Sequence, residues 1–442
     1  MRHILSVIST ILATCALLAA APTSAAPGDL DTTFGAGFGM VRTAIGTGID
    51  LGNAIALQPD GKIVVAGYCW NGSDYDFCLA RYLANGTLDT SFGSGGTVIT
   101  PIGSANDYGR AIALQPDGKI VVAGICRGAS DQDVCLARYQ ANGSLDTSFN
   151  LTGKVISPIG SSGDSAQAIA LQPDGKIVVA GRCYNGNNVD FCLARYHPNG
   201  ALDTSFDSDG KVITPIGSSG DSAQAIALQP DGKIVIAGYC YIGSNDNFCL
   251  ARYHPNGALD TSFDSDGKVI TPIGSSSNSA GAIALQPDGK IVVAGRCDNG
   301  GNDDFCLARY QANGTLDTSF GSAGNGKVIT SIGSGNDQAN ALALQPDGKI
   351  VVAGVCWNGS NDDFCLARYE GGPFGYQNCK LDIDGDGVVL ATTDALILAR
   401  VALGMTGNAV INGISFASHA TRTTWPDIRD YLVSQCGMTL AP

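Results

Sequence analysis

Residues 54–67 read Ala-Ile-Ala-Leu-Gln-Pro-Asp-Gly-Lys-Ile-Val-Val-Ala-Gly, and the stretch returns five more times nearly unchanged. Its aspartate falls at Asp60, Asp117, Asp174, Asp231, Asp288 and Asp347, in steps of 57, 57, 57, 57 and 59 residues. A period this regular sets the architecture before any local motif does. Within the stretch, Gln-Pro-Asp-Gly-Lys is a turn signal: proline presets one backbone angle, aspartate bonds back to the chain, and glycine accepts a positive φ. Apolar runs flank the turn, so each copy reads as a β-hairpin.

Working outward from the second copy, Ala111–Gln115 and Lys119–Gly124 are two strands, Val134–Tyr139 a third and Lys154–Ser157 a fourth. Four short strands per 57 residues match one blade of a β-propeller. The Ile-Val-Val-Ala run is apolar at successive positions, so both of its faces need cover, which neighbouring blades supply. Tandem separate sandwiches are disfavoured, because one four-stranded unit cannot bury a core of its own. The expectation is an all-β, six-bladed propeller of four-stranded blades over residues 27–371. Its last repeat ends at Tyr369 with no Leu-Asp-Thr segment after it, so the spare strand Met40–Ile45 is expected to complete the sixth blade and close the ring. Closure would remove an exposed sheet edge.

Three recurring segments carry a resemblance: Leu-Asp-Thr-Ser-Phe, Ala-Leu-Gln-Pro-Asp-Gly-Lys-Ile-Val-Val-Ala-Gly and Phe-Cys-Leu-Ala-Arg-Tyr. Together, over residues 28–370, they look like delta-60 repeats, β-propeller-like units of exported bacterial proteins. The resemblance implies the fold and lends no activity. The cysteine in Phe-Cys-Leu-Ala-Arg-Tyr departs from the usual unit.

The first 26 residues read as a secretory signal: Arg2 and His3, an apolar run from Ile4 to Ala21, then small residues before the cut. The run is short for a membrane anchor, and no later stretch is apolar enough to span. Of fifteen cysteines, Cys15 lies in the signal, and an even remainder in an exported chain implies disulfides. Two cysteines nine residues apart in each repeat pair within the blade: Cys69–Cys78, Cys126–Cys135, Cys183–Cys192, Cys240–Cys249, Cys297–Cys306 and Cys356–Cys365, on facing antiparallel strands. Cys379 and Cys436 are left to clamp the C-terminal module. Thiolate metal sites need ligands clustered at short spacing and a reducing compartment, and neither is present. The net charge of −14 argues against nucleic acid and anionic membranes as partners.

The residue after the first cysteine varies: Trp70, Arg127, Tyr184, Tyr241, Asp298 and Trp357. These form a candidate binding rim, whose aromatics could stack on a glycan or meet an extracellular protein; covering their own disulfides is the plainer role. Arg81, Arg138, Arg195, Arg252, Arg309 and Arg368 recur in every blade, which favours structural pairing with the turn aspartates Asp31, Asp89, Asp146, Asp203, Asp260 and Asp317 over an anion site. No Ser/His/Asp or Cys/His set is apparent. Residues 197–219 equal 254–276, and 158–178 equal 215–235, which points to a near-symmetric surface. The reading is a non-enzymatic secreted binding or scaffold protein. The alternatives are an extracellular polysaccharide-acting enzyme, a glycoside hydrolase or lyase using the propeller cleft, and a purely structural surface protein.

Residues 372–442 change character. Asp382, Asp384 and Asp386 fall at alternate positions before Gly387, the spacing of a calcium loop, with the Val388 carbonyl next and Asp394 as closing carboxylate one place beyond Thr393. A helix follows from Asp394. The module resembles one half of a dockerin-type, EF-hand-like domain and implies bound Ca²⁺. The second calcium loop of true dockerins is absent, which argues against a cohesin-like partner.

Overall fold

The structure, a computed structural model, describes residues 31–128 and 131–372 and parts of 383–434. Each Gln-Pro-Asp-Gly-Lys segment closes as the sequence requires. In the first copy Gln58 N donates to Lys62 O at 2.8 Å, Asp60 accepts from Lys62 N, and Gly61 takes φ +82. The hairpin pairs Leu57 with Ile63 and Ala54 with Ala66.

Six antiparallel sheets result, in simple sequential order from the innermost strand outward. Blade 1 has strands Asp50–Leu57, Ile63–Trp70, Tyr75–Tyr82 and Thr97–Thr100. Blades 2 to 5 repeat this over 108–157, 162–214, 221–271 and 278–330, and blade 6 has three strands, Asp337–Leu344, Ile350–Trp357 and Asp362–Tyr369. The apolar second strand is covered on both faces. In blade 2, Ile120 and Val122 pack toward Val64, Leu79 and Phe77 of blade 1, while Val121 and Ala123 pack toward Ile177 and Tyr196 of blade 3. The protein therefore has a core at each successive junction rather than one core per sheet, the arrangement of a repeat protein stabilised by its neighbours.

The buried arginines fasten those junctions. Arg81, Arg138, Arg195, Arg252 and Arg309 each pair through Nε with Asp89, Asp146, Asp203, Asp260 and Asp317 at 2.7–2.8 Å. Each also donates to a carbonyl of the following blade, at Ala141, Pro198, Pro255, Ala312 and Gly371. Structural pairing is thus the role of these five. Arg368 has no following Leu-Asp-Thr segment and is exposed.

The expected closing strand is corrected. Residues 40–45 lie in no strand, and the third strand of blade 6 keeps an open edge, with Phe364 fully and Leu366 largely exposed. The N-terminal segment instead docks on blade 1 as a preceding blade would. Gly35 N donates to Asn85 O as Gly93 N does to Asn142 O, and Thr43 receives the Tyr82 hydroxyl at 2.9 Å as Thr214 receives that of Tyr253. Asp50 holds the backbone of Ile45 and Gly46. These bonds tie the segment to blade 1 without a ladder to blade 6.

Beyond the propeller, the helices Asn408–Ile411 and Trp425–Ser434 pack with Ile383, Ile397 and Val401 in a small apolar cluster. A helical calcium module is more than these elements amount to: beside the two short helices, the described residues there add helical backbone at 396, 397, 400 and 401. Asp382, Asp386, Val388, Asp394, Cys379 and Cys436 lie outside the described residues, as does the signal segment. Asp384 is buried, and its main-chain oxygen accepts from Thr421 and Arg422. No helix of the described residues is long and apolar enough to cross a membrane.

Candidate functional site

Every innermost strand carries a β-bulge at the same place. The register skips Asn53, Arg110, Gln167, Gln224, Gly281 and Asn340, one per blade. A bulge leaves one residue unpaired and re-aims its side chain. The glycine that ends each repeated stretch makes room for it. A Cβ on Gly67 would come within 1.8 Å of the Leu51 carbonyl, and one on Gly181 within 1.8 Å of that of Ser165. The sameness of the repeat thus has a geometric purpose: it presents one variable residue per blade to the axis.

These six positions, with Tyr239, Ser279, Arg296 and Gln338, line a central cavity of about 440 Å³ reached by all six blades. Amides dominate its wall. Asn53 Nδ2 donates to Gly109 O at 2.7 Å, and Gln167 and Gln224 donate to Ser165 and Ser222. Among the described residues, no carboxylate lines it.

Sixfold regularity breaks at blades 1 and 2. Tyr68 meets Tyr108 edge-on at 4.8 Å and Tyr75 at 5.3 Å, and Trp70 meets Tyr75 at 5.2 Å. The Arg110 guanidinium stands 5.9 Å from the Tyr68 ring and 5.7 Å from that of Tyr108. All four aromatics are half-buried. The expectation of a near-symmetric face therefore fails at this junction, where the equivalents of Tyr68 and Tyr108 are, for example, Arg182 and Ser165.

The proposed rim residues fall on separate blades, and only Trp70 joins this cluster. Tyr184, Tyr241, Asp298 and Trp357 are half-buried and Arg127 is exposed. All six share a backbone role: the carbonyls of Trp70, Arg127, Tyr184, Tyr241, Asp298 and Trp357 accept from Thr47, Ser104, Ser161, Ser218, Ser275 and Ser334 of the adjoining loop. The six within-blade disulfides are formed, with Cα–Cα separations of 5.7–5.9 Å. Their cysteines are not directly opposite, for Cys69 faces Asp76 and Cys78 faces Gly67. The bridge therefore runs diagonally across the two strands.

Behind the rim, blade junctions bury carboxylates in pairs: Asp76 with Asp107, Asp133 with Asp164, Asp190 with Asp221 and Asp304 with Asp337. At the junction of blades 4 and 5 both members become amides, Asn247 and Asn278. The second member caps a loop, as Asp107 does by accepting from Ile102 N at 2.6 Å and from Gly103 N. Burial pushes Asp76 and Asp107 upward. Repulsion adds to the shift at Asp107 from Asp76 and at Asp76 from Asp74, while bonds from Asn71, Ile102 and Gly103 and the charge of Lys154 oppose it. A carboxyl raised in the folded state contributes stability below its unfolded value, about 3.8, and that contribution is lost as pH rises through the folded value. Copying the natural amide pair, as Asp76→Asn with Asp107→Asn, should therefore raise the unfolding free energy at neutral pH by about 1 kcal/mol. The gain should vanish in acid, as read by urea titrations at both pH values. An equal gain at both would show that charge is not the cause.

Among the described residues, no group of three or more His, Cys, Asp or Glu side chains is placed to hold a metal ion. Six segments, 58–92, 115–149, 172–206, 229–263, 286–320 and 345–371, match the family model described as "Domain of unknown function (DUF5122) beta-propeller". This is a propeller repeat protein. No curated protein is similar to it in sequence. Similar solved structures include a protein from Lactobacillus plantarum, 15% identical, covering 72% of this chain and 83% of that one at a TM-score of 0.43. A polysaccharide lyase described as an ulvan lyase is 12% identical over 72% of this chain and 79% of its own, TM-score 0.40. A gluconolactonase from Xanthomonas campestris is 12% identical over 70% and 90%, TM-score 0.34. The expectation that this chain is not an enzyme is corrected: the structures similar to it include a polysaccharide lyase and a gluconolactonase.

Proposed function

We propose that this chain is an exported polysaccharide-acting enzyme whose substrate lies across the channel mouth at blades 1 and 2. The observation that carries the reading is the cluster of Tyr68, Trp70, Tyr75 and Tyr108 around Arg110, a combination that no other described blade junction repeats. Half-buried aromatic rings give flat apolar faces with polar tips, suited to sugar rings. A concave cavity walled by amides supplies the hydrogen bonds that fix orientation. Hydrolysis by two carboxylates needs a facing acidic pair, and the cavity wall has none. Proton transfer in this site falls instead to tyrosine hydroxyls, which can act as general acid or base. The six disulfides fit an exported protein.

Incubation of the full chain with neutral and acidic polysaccharides, scored for new reducing ends and for unsaturated ends, tests this. Cleavage of at least one polymer is expected, with Tyr68→Ala and Tyr108→Ala each lowering the rate about ten-fold or more at unchanged circular dichroism. No cleavage of any polymer, or variants as fast as the parent, would overturn it.

A further inference from the structure

We infer that the channel mouth selects a saccharide bearing an anionic group, with the Arg110 guanidinium as its seat. This rests on the polysaccharide reading above and names the substrate class. The chain has 40 acidic and 26 basic residues, yet the cavity wall holds two arginines and no carboxylate. That is the reverse of the overall composition.

The two arginines differ. Arg296 is already answered by Asp303 at 2.7 Å. Arg110 forms no ion pair among the described residues, and its Nε is buried without a hydrogen-bond partner. The five arginines that fasten the blades each have an aspartate, and Arg110 differs from them in having a buried donor that none answers. Tyr68 and Tyr108 stand beside its guanidinium, and ring contacts leave the in-plane N–H donors unused. A buried donor with no acceptor is unfavourable until a ligand supplies one, and the guanidinium fork matches an oxyanion with two parallel bonds. The other five bulge positions are Asn, Gln, Gln, Gly and Asn, so blade 2 alone places a cation there.

The net charge of −14 opposes a long polyanion at a distance. That field is screened beyond about 8–10 Å at physiological salt, and contact at Arg110 decides affinity. A uronate carboxylate and a sulfate ester share the required chemistry.

Calorimetric titration of the full chain with trigalacturonate, a sulfated carrageenan tetrasaccharide and neutral cellotriose tests the inference and separates the two anions. At least one charged probe should bind about ten-fold or more tightly than cellotriose. Arg110→Gln should weaken that probe by about 10- to 100-fold and weaken cellotriose much less. Glutamine is the natural occupant at Gln167 and Gln224, so the fold should accept it, and Arg110→Lys should restore part of the loss. The inference is overturned if charged and neutral probes bind alike, if Arg110→Gln keeps the preference, or if neither charged probe binds. Cleavage of a neutral polymer alongside any of these results would leave the enzymatic reading standing.

Discussion

Asp203→Ala should remove about 3–5 kcal/mol from the unfolding free energy, the cost of stranding a buried charge. The carboxylate sits 2.8 Å from Arg195 Nε, with both side chains buried. It also accepts from Ser205 N at 3.1 Å and Ser205 Oγ at 2.6 Å, with Lys176 and His197 each 3.4 Å away. Burial alone would raise this carboxyl, but the Ser205 bonds and the Arg195 charge overcome it and hold the group far below the ordinary carboxylate range. A group lowered in this way stabilises the fold above its unfolded value, about 3.8, and the contribution is lost as pH falls toward the folded value. Alanine leaves Arg195 packed over Phe206 at 4.5 Å, bonded to Pro255 of blade 4 and without its counter-charge. The damage should spread across the junction of blades 3 and 4. Asp203→Asn keeps acceptors for Ser205 and should cost less. Urea denaturation of the three proteins reads this directly, and a loss under about 1 kcal/mol for the alanine variant would mean that solvent reaches the arginine.

That pairing was legible in the sequence because Arg and Asp recur together in complete repeats and both drop out of register at Arg368, after which no Leu-Asp-Thr follows. Blade number, hairpin turns and within-blade bridges were legible for the same reason, since each is a local pattern copied at one period. The channel wall was not. Its residues lie just before the constant stretch, and only the bulge, a property of how two strands register, turns them to the axis. A signal did exist: position 110 and its equivalents vary beside a nearly invariant stretch, while Gly124 and its equivalents never vary. The aromatic cluster was half visible. Trp70 stood out, but Tyr68, Tyr75 and Tyr108 come from three strands of two blades and meet only once those blades pack. The N-terminal segment misled because it has a strand's composition and makes the bonds to blade 1 that a fourth strand makes to the following blade, yet it forms no ladder with blade 6.

Reduction should unfold the propeller from blade 6 inward. Each bridge spans nine residues in sequence, and closing so short a loop restricts the unfolded chain by about 2–3 kcal/mol. Six independent bridges would supply about 12–18 kcal/mol on that basis, as much as the whole stability of an ordinary domain. Removing one, as Cys240→Ala with Cys249→Ala, should lower the unfolding free energy by about 2–3 kcal/mol, and full reduction should abolish cooperative unfolding. Order follows from burial, because a thiolate must reach the sulfur. Cys69, Cys126, Cys183, Cys240 and Cys297 are fully buried, as are Cys135, Cys249 and Cys306. Cys365 is only half-buried, on the strand whose outer edge is open beside exposed Phe364 and Leu366. Cys356–Cys365 should therefore open first under mild reductant, trapped by alkylation and located by peptide mass. Loss of that bridge frees the terminal blade, whose neighbour then carries the exposed edge, so later bridges should open in the order of blades 5, 4 and 3. Simultaneous loss of all six would instead mean that the reductant acts only on the globally unfolded chain, and that the sixth blade is covered on both faces in solution.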